Sequence, residues 1–271
     1  MAGGEVYRPG PGGYAAFVSA YASRTPPPAA PVLVAHRGHA AVCPENTLPA
    51  LDSAVAAGAR WLEVDVQLTA DGVPVLLHDD DLARTSGQAA SVFSMTAADL
   101  ADVPVGEPAR FGDRFSQVRA PTLPEFARWL AGQEGVRGFV EIKTESLERF
   151  GRQAVADAVL EAGAPARGRW VPLSYDADVL DILRRRGAPA PAWVVREFDD
   201  EAAATAADLG VRWLFRNHER MSPGPLPAGP WTWVPYEVAS VALARDLMAR
   251  GATWLETMAV ARLAGALGCR G

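Results

Sequence analysis

Residues 61–79 read W-L-E-V-D-V-Q-L-T-A-D-G-V-P-V-L-L-H-D. The apolar, β-branched runs at 61–66 and 73–77 predict two strands. Only L-T-A-D-G lies between Gln67 and Val73, whereas parallel neighbours need a crossover of about a dozen residues or more. The two runs therefore form a hairpin, with Asp71-Gly72 at the turn because glycine tolerates positive φ. Strand 61–66 rises, the hairpin projects beyond it, and 73–77 returns to deliver His78 to whatever opening the rising strand reaches.

Outward from this hairpin, short strand-like runs alternate with longer Ala/Leu-rich segments, the pattern of repeated β-α units and a parallel sheet. Strands are expected at 32–35, 138–142, 169–173, 191–195, 212–215, 231–234 and 253–256. Helices are expected at 47–57, 122–132, 146–162, 176–186, 199–209, 237–250 and 259–267. Nine strands are one too many for an eight-stranded barrel, and the hairpin arm 73–77 accounts for the surplus. The fold class is α/β, a (β/α)8 barrel of the TIM type. Residues 67–121 fit no β-α unit beyond the hairpin and a short helix at 97–101. A stretch this long implies a small insertion subdomain after the second barrel strand, capping the site. Residues 31–271 form one domain, and 1–30, with its Gly/Pro tail, a short helix at 14–21 and a proline spacer, form a flexible leader.

The chemistry-bearing residues gather at strand ends. His36 and Arg37 close strand 32–35; a histidine moves protons near neutral pH, and arginine's planar fork matches phosphate oxygens. Alone, the pair could equally be a solvated strand end. Glu63 and Asp65, one residue apart, point to one face while Val64 and Val66 point to the other. Two inward carboxylates are costly unless solvated, protonated or holding a cation, and an oxygen-only set favours Mg²⁺ or Ca²⁺. Glu141 and Lys143 repeat the spacing in F-V-E-I-K, offering a third carboxylate and an ammonium for phosphate. Glu45 and Asn46 are candidates to support the site from behind, although Asn46 or Thr47 also serves as a helix cap. His39 receives no role, and His218 is expected at the surface.

A net charge of −6 excludes a general nucleic-acid binder. No apolar run reaches the length of about 18 residues of a membrane span, so no stable membrane insertion is expected. Cys43 and Cys269 are far apart in sequence and read as free thiols, which places the chain in the cytoplasm. There is no G-x-S-x-G, P-loop, dinucleotide fingerprint or C-x-x-C pair.

A-H-R-G (35–38), P-E-N-T (44–47), the 63–79 hairpin, L-A-R-T-S-G (82–87), A-P-T-L-P-E-F (120–126) and V-E-I-K (140–143) together resemble the glycerophosphodiester phosphodiesterase family, relatives of phosphatidylinositol-specific phospholipase C barrels. The likeness implies a distorted barrel and one divalent cation, Mg²⁺ or Ca²⁺, held by Glu63, Asp65 and Glu141. It implies His36 and His78 as general base and acid, Arg37 and Lys143 on phosphate, and a small-molecule glycerophosphodiester as substrate. It also implies that Trp233, expected as a substrate-binding residue, and Tyr236 stand at positions that shape the leaving-group pocket or support the barrel floor. After residue 145 the likeness thins: T-W-V-P-Y-E (232–237) and W-L-E-T-M-A-V (254–260) depart from the family pattern, with Met258 where an aspartate is usual. Two alternatives stand beside this reading. One is a lysophospholipase D-type hydrolase, which would show an apolar mouth built from Trp231, Trp233 and Phe93; the other is a non-catalytic phosphoester-binding protein.

Overall fold

The structure, a computed structural model, describes residues 30–269; the expected tail, the helix at 14–21 and most of the proline spacer lie outside them. The strands are β1 (Val32–Ala35), β2 (Trp61–Leu68), β3 (Pro74–Leu76), β4 (Arg137–Ile142), β5 (Trp170–Ser174), β6 (Ala192–Val194), β7 (Trp213–Asn217), β8 (Thr232–Tyr236) and β9 (Trp254–Thr257). Eight of them run parallel in the order β8-β7-β6-β5-β4-β2-β1-β9, with β3 paired to β2 off this path. β8 and β9 lie side by side without a ladder, so the barrel is nearly closed, and Val238 N donates to Glu256 O just past the gap.

Strand alternation sorts the residues into two cores. Leu62, Val64 and Val66 face outward and pack with Leu51, Phe126 and Leu130 of the surrounding helices, each buried side chain contributing roughly 1.5–3 kcal/mol. Val34, Phe139, Leu173, Val194, Phe215 and Val234 face inward. The first residues of β2, β7 and β9 close the barrel floor with aromatic rings. Trp61 lies 4.9 Å from both Phe139 and Trp254, and Trp213 lies 5.3 Å from Phe139. Water therefore meets the barrel interior from the C-terminal side, where such barrels place their sites.

The hairpin forms as the connection length requires. Val66, Gln67 and Leu68 pair antiparallel with Leu76, Val75 and Pro74, and Leu77 N continues the ladder to Asp65 O. Beyond it, Val75, Leu77, Leu82, Val92, Leu100 and Val105 enclose a separate small core, which is what lets the insertion stand as a rigid cap.

Two expected helices are cut differently. The 146–162 segment is two helices, Thr144–Phe150 and Arg152–Ala162, because Gly151 adopts φ +83° and its N–H ends the first by bonding Leu147 O. The helix expected from 237 starts at Val241, capped by the Ser240 side chain on Leu243 N; the preceding residues are an irregular link in which Glu237 holds φ +62°.

Candidate active site

Each barrel strand presents its next inward residue at the C-terminal mouth. After Val34 comes His36, after Trp61 come Glu63 and Asp65, and after Phe139 comes Glu141. The same two-residue step leads from Leu173 to Tyr175, from Val194 to Arg196 and from Phe215 to Asn217. It likewise leads from Val234 to Tyr236 and from Trp254 to Glu256. A cleft of about 230 Å³ collects His36, Arg37, His78, Glu141 and Lys143 on one side and Tyr175, Arg196, Asn217, Arg220 and Tyr236 on the other, with Glu256 between.

The β1 end is set by backbone strain. Arg37 sits at φ +54° and Gly38 at +77°, and a Cβ on Gly38 would stand 2.7 Å from the carbonyl carbon of Ala50. This tight turn directs Arg37 N to Glu63 Oε2 at 3.0 Å and Arg37 Nη1 to Glu45 Oε1 at 2.9 Å. Arg37 Nε lies 3.1 Å from Asp65 Oδ2 as an ion pair. Asn46, also at positive φ, spends its whole amide on Asp65: Nδ2 donates to Oδ2 at 2.9 Å, and Oδ1 accepts from Asp65 N at 3.0 Å. The cap of helix Leu48–Ala56 is therefore Thr47, whose hydroxyl accepts from Ala50 N. Lys143 Nζ reaches Glu141 Oε1 at 2.9 Å and Asp65 Oδ1 at 3.3 Å.

Glu63, Asp65 and Glu141 each bring a carboxylate oxygen within 4.8 Å of the others. Burial would raise Asp65, but Lys143 and Arg37 more than offset it and hold the carboxyl well below the usual range. Glu63 goes the other way, raised by burial and by Asp65, Glu256 and Glu141. Glu141 is raised by burial, which together with Asp65 outweighs its bond to Lys143. Glu63 Oε1 is buried without a hydrogen-bond partner. An oxygen-only set that is over-negative and under-satisfied fits a hard divalent cation.

His36 is buried, and burial, reinforced by Arg37, lowers its imidazole well below the ordinary value, so it is neutral at neutral pH. Its Nε2 lies 3.9 Å from both Glu63 Oε2 and Glu256 Oε2. His78 is more open. Its Nδ1 meets Asp79 Oδ1 at 2.6 Å, and Gln67 Nε2 holds its backbone oxygen at 3.1 Å. Asp79 Oδ2 accepts from Arg84 Nε at 2.7 Å, and the rest of that guanidinium grips both oxygens of Glu45 at 2.7 and 2.8 Å. The insertion is thus wired to the barrel: His78, Asp79, Arg84, Glu45 and Arg37 form one chain of charge-assisted contacts. Glu107, buried at φ +49°, locks it by accepting from Glu45 N at 2.7 Å.

Trp233 belongs elsewhere. Because Val234 and Tyr236 point inward, Trp233 points out of the barrel, where it packs 4.7 Å from Phe198 and donates Nε1 to Pro227 O. Trp231 is buried beside it and Phe93 packs on Phe150, so these three rings build no apolar mouth. Among the described residues, the large hydrophobic side chain that stands exposed is Val42. His39 bonds Ser53 Oγ, behind the site.

The sequence motifs did not single out Glu256, Tyr175, Arg196 and Asn217, and the two-residue inward period would have found them. Glu256 carries a further signal, since W-L-E occurs at both 61–63 and 254–256, on the two strands that flank β1. Burial, with Glu141 and Asp65, raises the Glu256 carboxyl well above its ordinary value. Asp79, Arg84 and Glu107 had no such signal, because only the folded insertion brings them to the barrel.

The fold and the cleft define a (β/α)8 barrel with cations, carboxylates and imidazoles converging on a space of phosphoester size. Residues 36–154, somewhat under half of the chain, match the glycerophosphoryl diester phosphodiesterase family. It is 36% identical over 113 residues to the glycerophosphodiester phosphodiesterase of Caldanaerobacter subterraneus, covering 42% of this chain and 45% of that protein. It is 35% identical over 122 residues to human glycerophosphodiester phosphodiesterase 1, covering 43% and 37%. The chain thus spans under half the length of these curated relatives. Solved structures share the fold over far more of its length. An Oleispira antarctica phosphodiesterase in complex with the product sn-glycerol-3-phosphate superposes with TM-score 0.76 at 24% identity, over 88% of this chain and 97% of that one. A glycerophosphodiester phosphodiesterase from Parabacteroides distasonis gives TM-score 0.71 at 21% identity, over 87% and 96%.

Proposed function

We propose that the protein is a phosphoric diester hydrolase that cleaves glycerophosphodiesters to an alcohol and glycerol phosphate. The observation that carries this reading is the meeting at one cleft of the imidazoles of His36 and His78, the cations of Arg37 and Lys143, and the carboxylates of Glu63, Asp65 and Glu141. Glu63, Asp65 and Glu141 are the residues that would hold a divalent cation, Mg²⁺ or Ca²⁺. When bound, such an ion polarises a phosphoryl oxygen as a Lewis acid. Arg37 and Lys143, fixed by their carboxylate partners, present their remaining donors to the charge that develops on the phosphoryl oxygens. His36, neutral by burial, takes the proton of the attacking oxygen, and His78, oriented by Asp79, gives one to the departing alkoxide. Each transfer contributes roughly 10²–10⁴-fold. Glu45 and Asn46 act through Arg37 and Asp65. The free state of Cys43 and Cys269 supports a cytoplasmic location, and no helix among the described residues is long and apolar enough to cross a membrane.

The test is hydrolysis of glycerophosphodiesters in Mg²⁺, in Ca²⁺ and in chelator, with Glu63→Ala, His36→Ala and His78→Ala beside the parent. Loss of turnover in chelator and in all three variants is expected. Unchanged turnover in chelator and Glu63→Ala would remove the cation from the reading. Binding of the diesters without any turnover in metal-replete buffer would instead make the protein a phosphoester-binding module.

A further inference from the structure

The cleft has a second wall that the chemistry above leaves unused. Arg196 is the inward residue at the mouth of β6, Asn217 ends β7, and Arg220 closes the short turn His218–Arg220 that follows. The Arg196 guanidinium lies 4.7 Å over the Tyr175 ring. That ring is itself held, its hydroxyl 2.7 Å from Tyr236 Oη and its backbone oxygen accepting from Trp193 Nε1. Stacking fixes the guanidinium plane and leaves its N–H donors unspent.

The contrast with the opposite wall is in how the positive charge is committed. Arg37 and Lys143 are tied to Glu45, Asp65 and Glu141. Among the described residues, neither Arg196 nor Arg220 pairs with a carboxylate. Glu197, next to Arg196 in sequence, is turned to Arg216 at 3.4 Å. Glu237, which also lines this wall, accepts from Asn217 Nδ2 at 2.8 Å. The wall therefore carries two uncommitted guanidiniums against one occupied carboxylate. A quaternary ammonium would meet like charge on this wall, and Arg196 already lies over the Tyr175 ring.

Building on the phosphodiesterase reading, the geometry points to a substrate whose leaving alcohol bears a second anionic group, a carboxylate or a phosphate, received by Arg196 and Arg220. The scissile phosphate lies toward Arg37 and Lys143, and the head group spans the cleft to the β6–β7 rim. Arg196 and Arg220 are then specificity-determining residues that take no part in the bond cleavage.

The test compares kcat/KM for glycerophosphoserine and glycerophosphoglycerol phosphate, which carry the two anions, with glycerophosphocholine and glycerophosphoethanolamine. Arg196→Gln, Arg220→Gln and the double variant are measured alongside, with circular dichroism to show that these exposed-site variants fold. The parent protein should prefer the anionic members. Each substitution should reduce the anionic-to-choline ratio roughly tenfold, as expected for loss of one charge-assisted contact, and the preference should shrink at high salt. A parent preference for glycerophosphocholine, or a ratio unchanged in the double variant, overturns the proposal while leaving the phosphodiesterase reading intact. If no diester is hydrolysed, that reading falls instead. Calorimetry with the same four compounds then decides the subsite: tighter arginine-dependent binding of the anionic pair supports it, and equal affinities overturn it.

Discussion

Replacing Asp79 with asparagine isolates what the insertion does for His78. Asp79 Oδ1 lies 2.6 Å from His78 Nδ1, and Oδ2 accepts from Arg84 Nε at 2.7 Å. Burial would raise this carboxyl, but the bonds from Arg84 and His78 lower it, so it is ionised and can only accept. An acceptor there holds a proton on His78 Nδ1 and turns Nε2, the nitrogen whose proton goes to the departing alkoxide, to the cleft. In Asp79→Asn the amide oxygen must turn to Arg84, which has no acceptor, so an N–H faces His78 Nδ1 and opposes the form of the ring that carries protons on both nitrogens. The ring keeps its place through Gln67 and the backbone, so only part of the acid–base contribution is lost. We expect kcat/KM to fall on the order of 10²-fold. The side chains of Asp79 and His78 are 28% and 32% exposed; discounted for that, the lost contact costs about 1 kcal/mol of stability. That corresponds to a Tm lower by about 2–4 °C. The assay is steady-state hydrolysis by four proteins: parent, Asp79→Asn, His78→Ala and the double variant. If Asp79 acts through His78, the asparagine costs less than about twofold once His78 is gone. A single variant within about threefold of the parent, or an equal loss in both backgrounds, refutes the reasoning.

Two further outcomes follow from the buried carboxyls. Glu256 is raised in the folded protein, so the folded state binds more protons than the unfolded one above the ordinary glutamate value. Stability of the cation-free protein therefore falls as pH rises toward the raised value, by up to about 1.4 kcal/mol per unit. Glu256→Gln should raise Tm in chelator at about pH 8 and converge with the parent near pH 5; parallel curves would contradict this. Glu63 and Glu141 are also raised, so cation binding must displace protons and tighten with pH, by up to about tenfold per unit for each proton released. Calorimetry in buffers of different ionisation enthalpy reads both effects, and a proton-neutral, pH-independent affinity between about pH 5 and 8 would count against these carboxylates as ligands.

The sequence by itself determined the parallel strand framework, the hairpin and the site's first wall. Five residues between Gln67 and Val73 cannot make a parallel crossover, and Glu63 with Asp65, or Glu141 with Lys143, must share a face because a strand alternates with period two. These are local geometric constraints, so they hold before the chain folds. Trp233 came from the family likeness and not from this rule, and alternation with the inward Val234 and Tyr236 turns it out of the barrel. Tertiary structure decided what depends on closure and docking. Glu256 enters the site because β9 closes beside β1, more than two hundred residues away in the chain. Asp79, Arg84 and Glu107 reach it because the insertion folds around its own core and docks on Glu45. Charge makes the same division: the residue types named the carboxylates, but burial and neighbours alone set Asp65 low and Glu63 high on one strand.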